Sequence, residues 1–133
     1  MTTRRPRSLE VPGVTHGAAP IPMGARVGNM IFSSGIMGKD PATDKLPADV
    51  ASQARFAFEH LKTLIELGGA SLADVGRVTV YIKDNSVRDS VNVEWLKHFP
   101  DPHDRPARHT QLYDLQGGMW LQLETIAVIG SSD

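Results

Sequence analysis

Apolar positions recur along the chain in two rhythms, and these divide it into alternating strand and helix. Between Asp49 and Gly69, the residues Val50, Ala54, Ala57, Phe58, Leu61, Leu64, Ile65 and Gly68 follow the i, i+4, i+7, i+8 spacing of one helical face. Gln53, Arg55, Glu59, Lys62 and Glu66 take the opposite face. Asp49 offers an N-cap carboxylate, and Gly68-Gly69 a stop. His60, inside this helix, reads as a solvated or boundary histidine. A second helix is predicted where Val87, Val91, Trp95 and Phe99 recur every four residues. Ser86 is its expected cap, Asn92 lies beside the stripe, and Pro100 ends it.

The strands have period two. Arg77 to Lys83 alternates strictly, with Val78, Val80 and Ile82 on one face. Ser8 to Val11 suits a short edge strand, and Gly24 to Gly35 a hairpin turning at Gly28-Asn29. The strand from Met30 ends at Ser33-Ser34-Gly35, small enough either for a simple turn or to let another group approach the backbone. Residues 36–48 form a loop around the turn cluster Asp40-Pro41-Ala42-Thr43-Asp44, and Ser71 to Asp74 a short capped turn. After a stiff connector, Pro100 to Pro106, a last hairpin is expected. It pairs strand 107–113 with strand 119–129 across a loop holding Gly117-Gly118. The order ββαβαββ predicts the α/β (α+β) class, a mixed sheet with both helices on one face. The other face carries Thr79, Tyr81, Gln122 and Glu124, too few and too mixed for a freely solvated surface. A small closed homo-oligomer is expected to cover it.

Composition narrows the function. The 133 residues suit one domain spanning 1–133, with 1–20 as N-terminal tail and loop. With 14 basic and 15 acidic residues, the net charge of −1 gives no attraction to nucleic acid or to a membrane surface. No apolar run reaches the length of a membrane span, and the basic stretch Met1 to Arg7 reads as a solvated tail rather than a signal peptide. There is no cysteine, hence no disulfide, thiolate nucleophile or cysteine metal site, which fits a cytoplasmic location. His16, His60, His98, His103 and His109 show no zinc-helix spacing. Asp101, His103 and Asp104 sit among prolines and read as a polar loop, so no metal is expected. Ser33 and Ser34 lack a G-x-S-x-G frame, and Gly117-Gly118 lacks the Lys-Ser of a phosphate loop.

That leaves Arg108. Pro106 fixes the approach to it, and Thr110 and Leu112 share its side of the strand. A planar guanidinium can clamp a carboxylate through two parallel hydrogen bonds. The competing role is a structural ion pair, with Glu124 or another acid. Gln122 and Glu124 share one face of the last strand, opposite Leu121 and Leu123, where either could face Arg108 and orient a water.

Several stretches together resemble the RidA/YjgF family of imine deaminases, also known as the L-PSP endoribonuclease-like family. They are Val27 to Gly35, Asp40 to Thr43, Ala51 to Arg55, Val78 to Asp84, Val91-Asn92, Pro106-Ala107-Arg108 and Glu124 to Val128. The resemblance implies a chorismate-mutase-like fold and a homotrimer with clefts between subunits. It puts the carboxylate-binding arginine on Arg108, aided by a backbone N–H near Thr110. The strand end lining the cleft falls on Ser34 and Gly35, and the helix asparagine on Asn92. Two positions depart from the family pattern. A tyrosine of the N-terminal loop falls on Ile21, and the acid that activates water falls on Gln122, the second acid of that strand being kept as Glu124. His16 and His109 are extra polar groups, and strand alternation gives His109 a packing role away from Arg108.

The implied activity is hydrolysis of small 2-imino or enamine acids to 2-oxo acids and ammonia. Arg108, Glu124 and Gln122 would be catalytic, and Ser34, Gly35, Asn92, Thr110 and Ile21 would bind substrate, without cofactor. Two alternatives stay open: a catabolic deaminase or hydrolase for a larger unsaturated substrate, and a non-catalytic binder of a 2-oxo acid or similar metabolite. Neutral charge argues against ribonuclease action.

Overall fold

The computed structural model describes residues 6–130, so Arg4 and Arg5 of the basic N-terminus lie outside the described residues. The elements run β1 (Ser8–Leu9), β2 (Gly24–Val27), β3 (Met30–Ser33), β4 (Ile36–Met37), α1 (Val50–Leu67), β5 (Val75–Ile82), α2 (Arg88–His98), β6 (Ala107–Leu112) and β7 (Leu121–Val128). The expected ββαβαββ order is there, with β1 and β4 as short additions. Together the strands form one mixed sheet, ordered β1-β2-β3-β7-β5-β6, with β4 also on β7.

The predicted stripe of α1 is buried: Ala54, Ala57, Phe58, Leu61, Leu64 and Ile65 are fully inaccessible. They pack with Val78, Val80, Ile82, Leu121 and Leu123 of the sheet in one core. Each such large side chain contributes about 1.5–3 kcal/mol by leaving water. Asp49 caps the helix by accepting from Ser52 N at 2.8 Å, and Gly69 turns the chain away with φ 93°. Two polar residues of α1 depart from expectation. Gln53 is buried, not solvated: its Nε2 donates to Pro47 O (2.7 Å) and Gly118 O (3.0 Å), and its Oε1 accepts from Trp120 N (2.8 Å). With those bonds made, its burial carries no unpaired-amide cost. His60 is also buried and donates Nε2–H to the Lys39 carbonyl at 2.6 Å.

The first turn of α2 differs in its cap. Asp84, not Ser86, opens a 3-10 turn over Asn85–Val87 that runs into the helix, and Ser86 donates its own N–H (2.9 Å) and its hydroxyl to that carboxylate. Val87, Val91 and Phe99 are buried as the four-residue recurrence requires. The β2–β3 hairpin turns at Gly28-Asn29 as expected, with φ of 60° at Gly28 alone.

The last hairpin is the main correction. β6 and β7 do not pair with each other; β5 lies between them, parallel to β6 and antiparallel to β7. The β5–α2–β6 crossover delivers β6 to one edge of β5, which leaves the other edge to β7. β6, a polar strand with no buried residue, takes the end of the sheet, while β7 alternates buried and half-buried between β3 and β5.

Register then decides facing. Val78 pairs with Arg108, Val80 with Thr110, and on the other side Val78 with Thr125 and Val80 with Leu123. Directly paired residues point to the same face, so Arg108 and Thr110 lie on the helix-covered side. Thr79 pairs with Glu124 and Tyr81 with Gln122, which puts those acid and amide groups on the open side. The expectation that Arg108 faces Gln122 or Glu124 within one chain is therefore overturned.

Candidate active site

On the helix side, Arg108 is held at the end of the sheet against α2. Its Nε donates to Thr110 Oγ1 at 2.9 Å and its Nη1 to Asn92 Oδ1 at 2.8 Å. Its guanidinium carbon lies 5.1 Å from the centroid of the Trp95 ring, a cation–π contact. Trp95 follows Asn92 by three residues, so one helical face supplies both supports. Among the described residues no acid pairs with Arg108. The ion pair with Glu124 is thus excluded. Burial, and then the charge of Arg88, push the Arg108 pKa below the ordinary arginine value, though a guanidinium stays cationic. Both supports are neutral acceptors. A guanidinium has five N–H donors; two are taken, which leaves Nη2 and one Nη1 hydrogen for an incoming anion.

On the open side, Gly35, Tyr81, Tyr113, Gln122 and Glu124 line a cleft of about 310 Å³. Tyr81 donates its hydroxyl to Glu124 Oε1 at 2.6 Å, and this bond, with burial, pushes the phenol pKa up. Oε2 of Glu124 remains available as an acceptor. The Tyr81 ring stands edge-on to Tyr113 with centroids 5.3 Å apart. Gln122 lies over Gly35 so closely that a Cβ there would sit 2.1 Å from Gln122 Nε2. Gly35 is reached because the β3 ladder with β7 stops at Phe32–Ile126, and Ser33 Oγ accepts the Thr125 N–H (2.8 Å) instead of a backbone carbonyl.

The remaining expected site residues fall around these two halves. Ser34 is spent on the N-terminal loop, donating its hydroxyl to Pro22 O at 2.7 Å. Ile21 is 49% exposed and lines a neighbouring hollow with His16 and Pro22. Asn92 and Thr110 serve Arg108 directly through their side chains. His109 is exposed on the open side, with Gln111 Nε2 3.3 Å from its Nδ1, so within the chain it does not pack as expected. Sequence reading missed Trp95 and Tyr81 as supports; a tryptophan at i+3 from the asparagine was the available signal for the first. Among the described residues no three His, Asp or Glu groups are gathered as for a metal, and no helix is long and apolar enough to cross a membrane.

A mixed sheet backed by two helices, with a guanidinium at one end that no acid among the described residues pairs and a carboxylate on its open face, defines a protein of the α+β class. The same architecture is found in the YjgF gene product of Escherichia coli (TM-score 0.81, 30% identity, 92% of this chain and 98% of that one). It is found again in Escherichia coli TdcF with bound serine (TM-score 0.83, 28% identity, 93% and 99%). Residues 18–129 match the family described as Endoribonuclease L-PSP. An Escherichia coli 2-iminobutanoate/2-iminopropanoate deaminase is 33% identical over 111 residues, 82% of this chain and 87% of the relative. A RutC family protein of Haemophilus influenzae is 35% identical over 105 residues, 77% and 81%. The chain belongs to the RidA/YjgF family.

Proposed function

We propose that this protein hydrolyses small 2-imino and enamine acids to 2-oxo acids and ammonia, in clefts completed between neighbouring copies of a homotrimer. The observation that carries this reading is Arg108: partly desolvated, braced by neutral partners, and left without an acid among the described residues. A substrate carboxylate supplies the missing charge through the free Nη donors. Because Glu124 and Gln122 point from the opposite face of the sheet, they meet that substrate from another copy.

The chemistry then needs little beyond positioning. A protonated imine is already electrophilic at its C2 carbon. Glu124, anchored at Oε1 by Tyr81, presents Oε2 to a water. Water oxygen adds to C2 as its proton passes to Glu124, giving a carbinolamine. The proton returns to nitrogen, and the C–N bond breaks as the hydroxyl proton passes to Glu124 and the C2=O bond forms; ammonia leaves, taking that last proton as ammonium. Gln122 cannot take the proton, since an amide does not titrate in this range. It orients the water or the new hydroxyl. Holding water and imine in contact supplies much of the rate.

Ammonia release from freshly generated 2-iminobutanoate or 2-aminoacrylate is expected above background. Glu124→Gln is expected to lower kcat by about 10²-fold or more while KM changes little, the size of effect typical of a lost general base. A folded oligomer with no rate above background would refute deamination. Binding of 2-oxo acids without turnover would leave only a metabolite-binding role.

A further inference from the structure

We infer that His16 is a positioning residue that pins the Ile21 loop to the floor of the cleft and so sets its grip on larger aliphatic side chains. The inference rests on the substrate site proposed above, but its first readout is ligand binding rather than turnover. His16 Nε2 lies 2.9 Å from the Gly35 carbonyl oxygen. A carbonyl only accepts, so Nε2 carries the proton. His16 Nδ1 is shielded from solvent and has no partner among the described residues. Lys39 lines the same groove as His16 and donates to the carbonyl of adjacent Thr15 at 2.8 Å, bracing the same loop.

This ring closes a small circuit. Ser34 N donates to Met23 O at 2.9 Å and Ser34 Oγ to Pro22 O at 2.7 Å. His16 therefore fixes one end of segment 16–23 against the strand end, and Ser34 fixes the other. Ile21 lies between the pins with its side chain half exposed. On its far side, Gly35 is the surface on which Gln122 rests. One imidazole thus joins the hollow that Ile21 lines to the floor of the cleft, and Arg108 is not part of the circuit. Losing the donor leaves the Gly35 carbonyl unpaired and frees the Ile21 loop, while carboxylate capture stays. The substrates that feel this are 2-imino acids with branched aliphatic side chains long enough to reach Ile21, and their 2-oxo products.

Calorimetric titration of the assembled protein with pyruvate and with 4-methyl-2-oxopentanoate tests this, alongside turnover of the imines made from alanine and leucine. In His16→Leu the Kd for the branched acid is expected to rise about tenfold, the worth of roughly one hydrogen bond and its contact, while pyruvate binding holds within about twofold. His16→Gln, whose side-chain amide can still donate to Gly35, is expected to restore the branched acid to within about twofold of wild type. Equal weakening of both acids, a change in Tm alone, or no rescue by glutamine would overturn the inference. If this binding pattern holds but no imine is turned over, the deaminase reading fails and His16 keeps its role. If imines are turned over without the binding pattern, the role of His16 fails alone.

Discussion

Arg108→Ala is expected to lower kcat/KM for 2-imino acids by about 10²- to 10³-fold, because truncating one partner of a desolvated, hydrogen-bonded charge pair costs 2–5 kcal/mol. The loss should fall mainly on KM, since the carboxylate is gripped alike before and during the reaction. Arg108→Lys is expected to do nearly as badly. An ammonium is a point charge and cannot meet Thr110, Asn92 and a carboxylate together in the geometry of the planar fork. Stability should change by only about 1 kcal/mol, as Arg108 makes no ion pair among the described residues and gives up neutral hydrogen bonds at the end of the sheet. Steady-state kinetics on both variants, with Tm as control, checks this. Unchanged kcat/KM in Arg108→Ala would remove the arginine from the site.

The largest expected effect on stability lies at Gly38. A Cβ there would sit 1.9 Å from the backbone oxygen of Gln53, 2.5 Å from its carbonyl carbon and 2.6 Å from its Cα. All three atoms are backbone, so no rotamer relieves the overlap; the start of α1 must move away from β4. That shift also drags Gln53, whose side chain ties Pro47, Gly118 and Trp120 together. Gly38→Ala is therefore expected to cost about 3 kcal/mol or more, a drop in Tm of about 10 °C or more. Gly76→Ala is the matched control. Its nearest neighbour would be Ile126 O at an ordinary 3.7 Å, so its Tm should stay within a few degrees. Thermal melts of the two variants, side by side, give the comparison.

The parts of the fold legible in the sequence were those fixed by periodicity. The stripe from Val50 to Ile65 and the alternation of Val78, Val80 and Ile82 required burial on one side, and all but the half-buried Val50 are buried. Gln53 escaped because a polar residue at the border of a helical stripe reads as solvated, while its three partners lie as far away as Trp120 in sequence. The β6–β7 pairing was misjudged for a related reason. Two strands joined by a Gly-Gly turn suggest a hairpin, and local signals do not report that a third strand is inserted between them. A clue was present in Ala107 to Leu112, too polar to lie between two neighbours. Arg108 was legible as the candidate carboxylate anchor through residue type and its proline-led approach. Its separation from Glu124 was not, because facing follows from long-range register. Thr110 was read on the Arg108 side and lies there, while Asn92, expected to frame the cleft, brackets the guanidinium with its side chain.

With Arg108 and Glu124 on opposite faces of one sheet, the proposed site takes the first from one subunit and the second from another. Co-expressing Arg108→Ala and Glu124→Gln chains under two different tags, and purifying the assemblies that carry both, measures this directly. Each variant alone is expected to be nearly inactive. In a trimeric ring that carries both chains, one interface in three joins a native Arg108 to a native Glu124, so deaminase activity should return to about a third of wild type. Mixed assemblies as inactive as either parent would contradict a site shared between subunits.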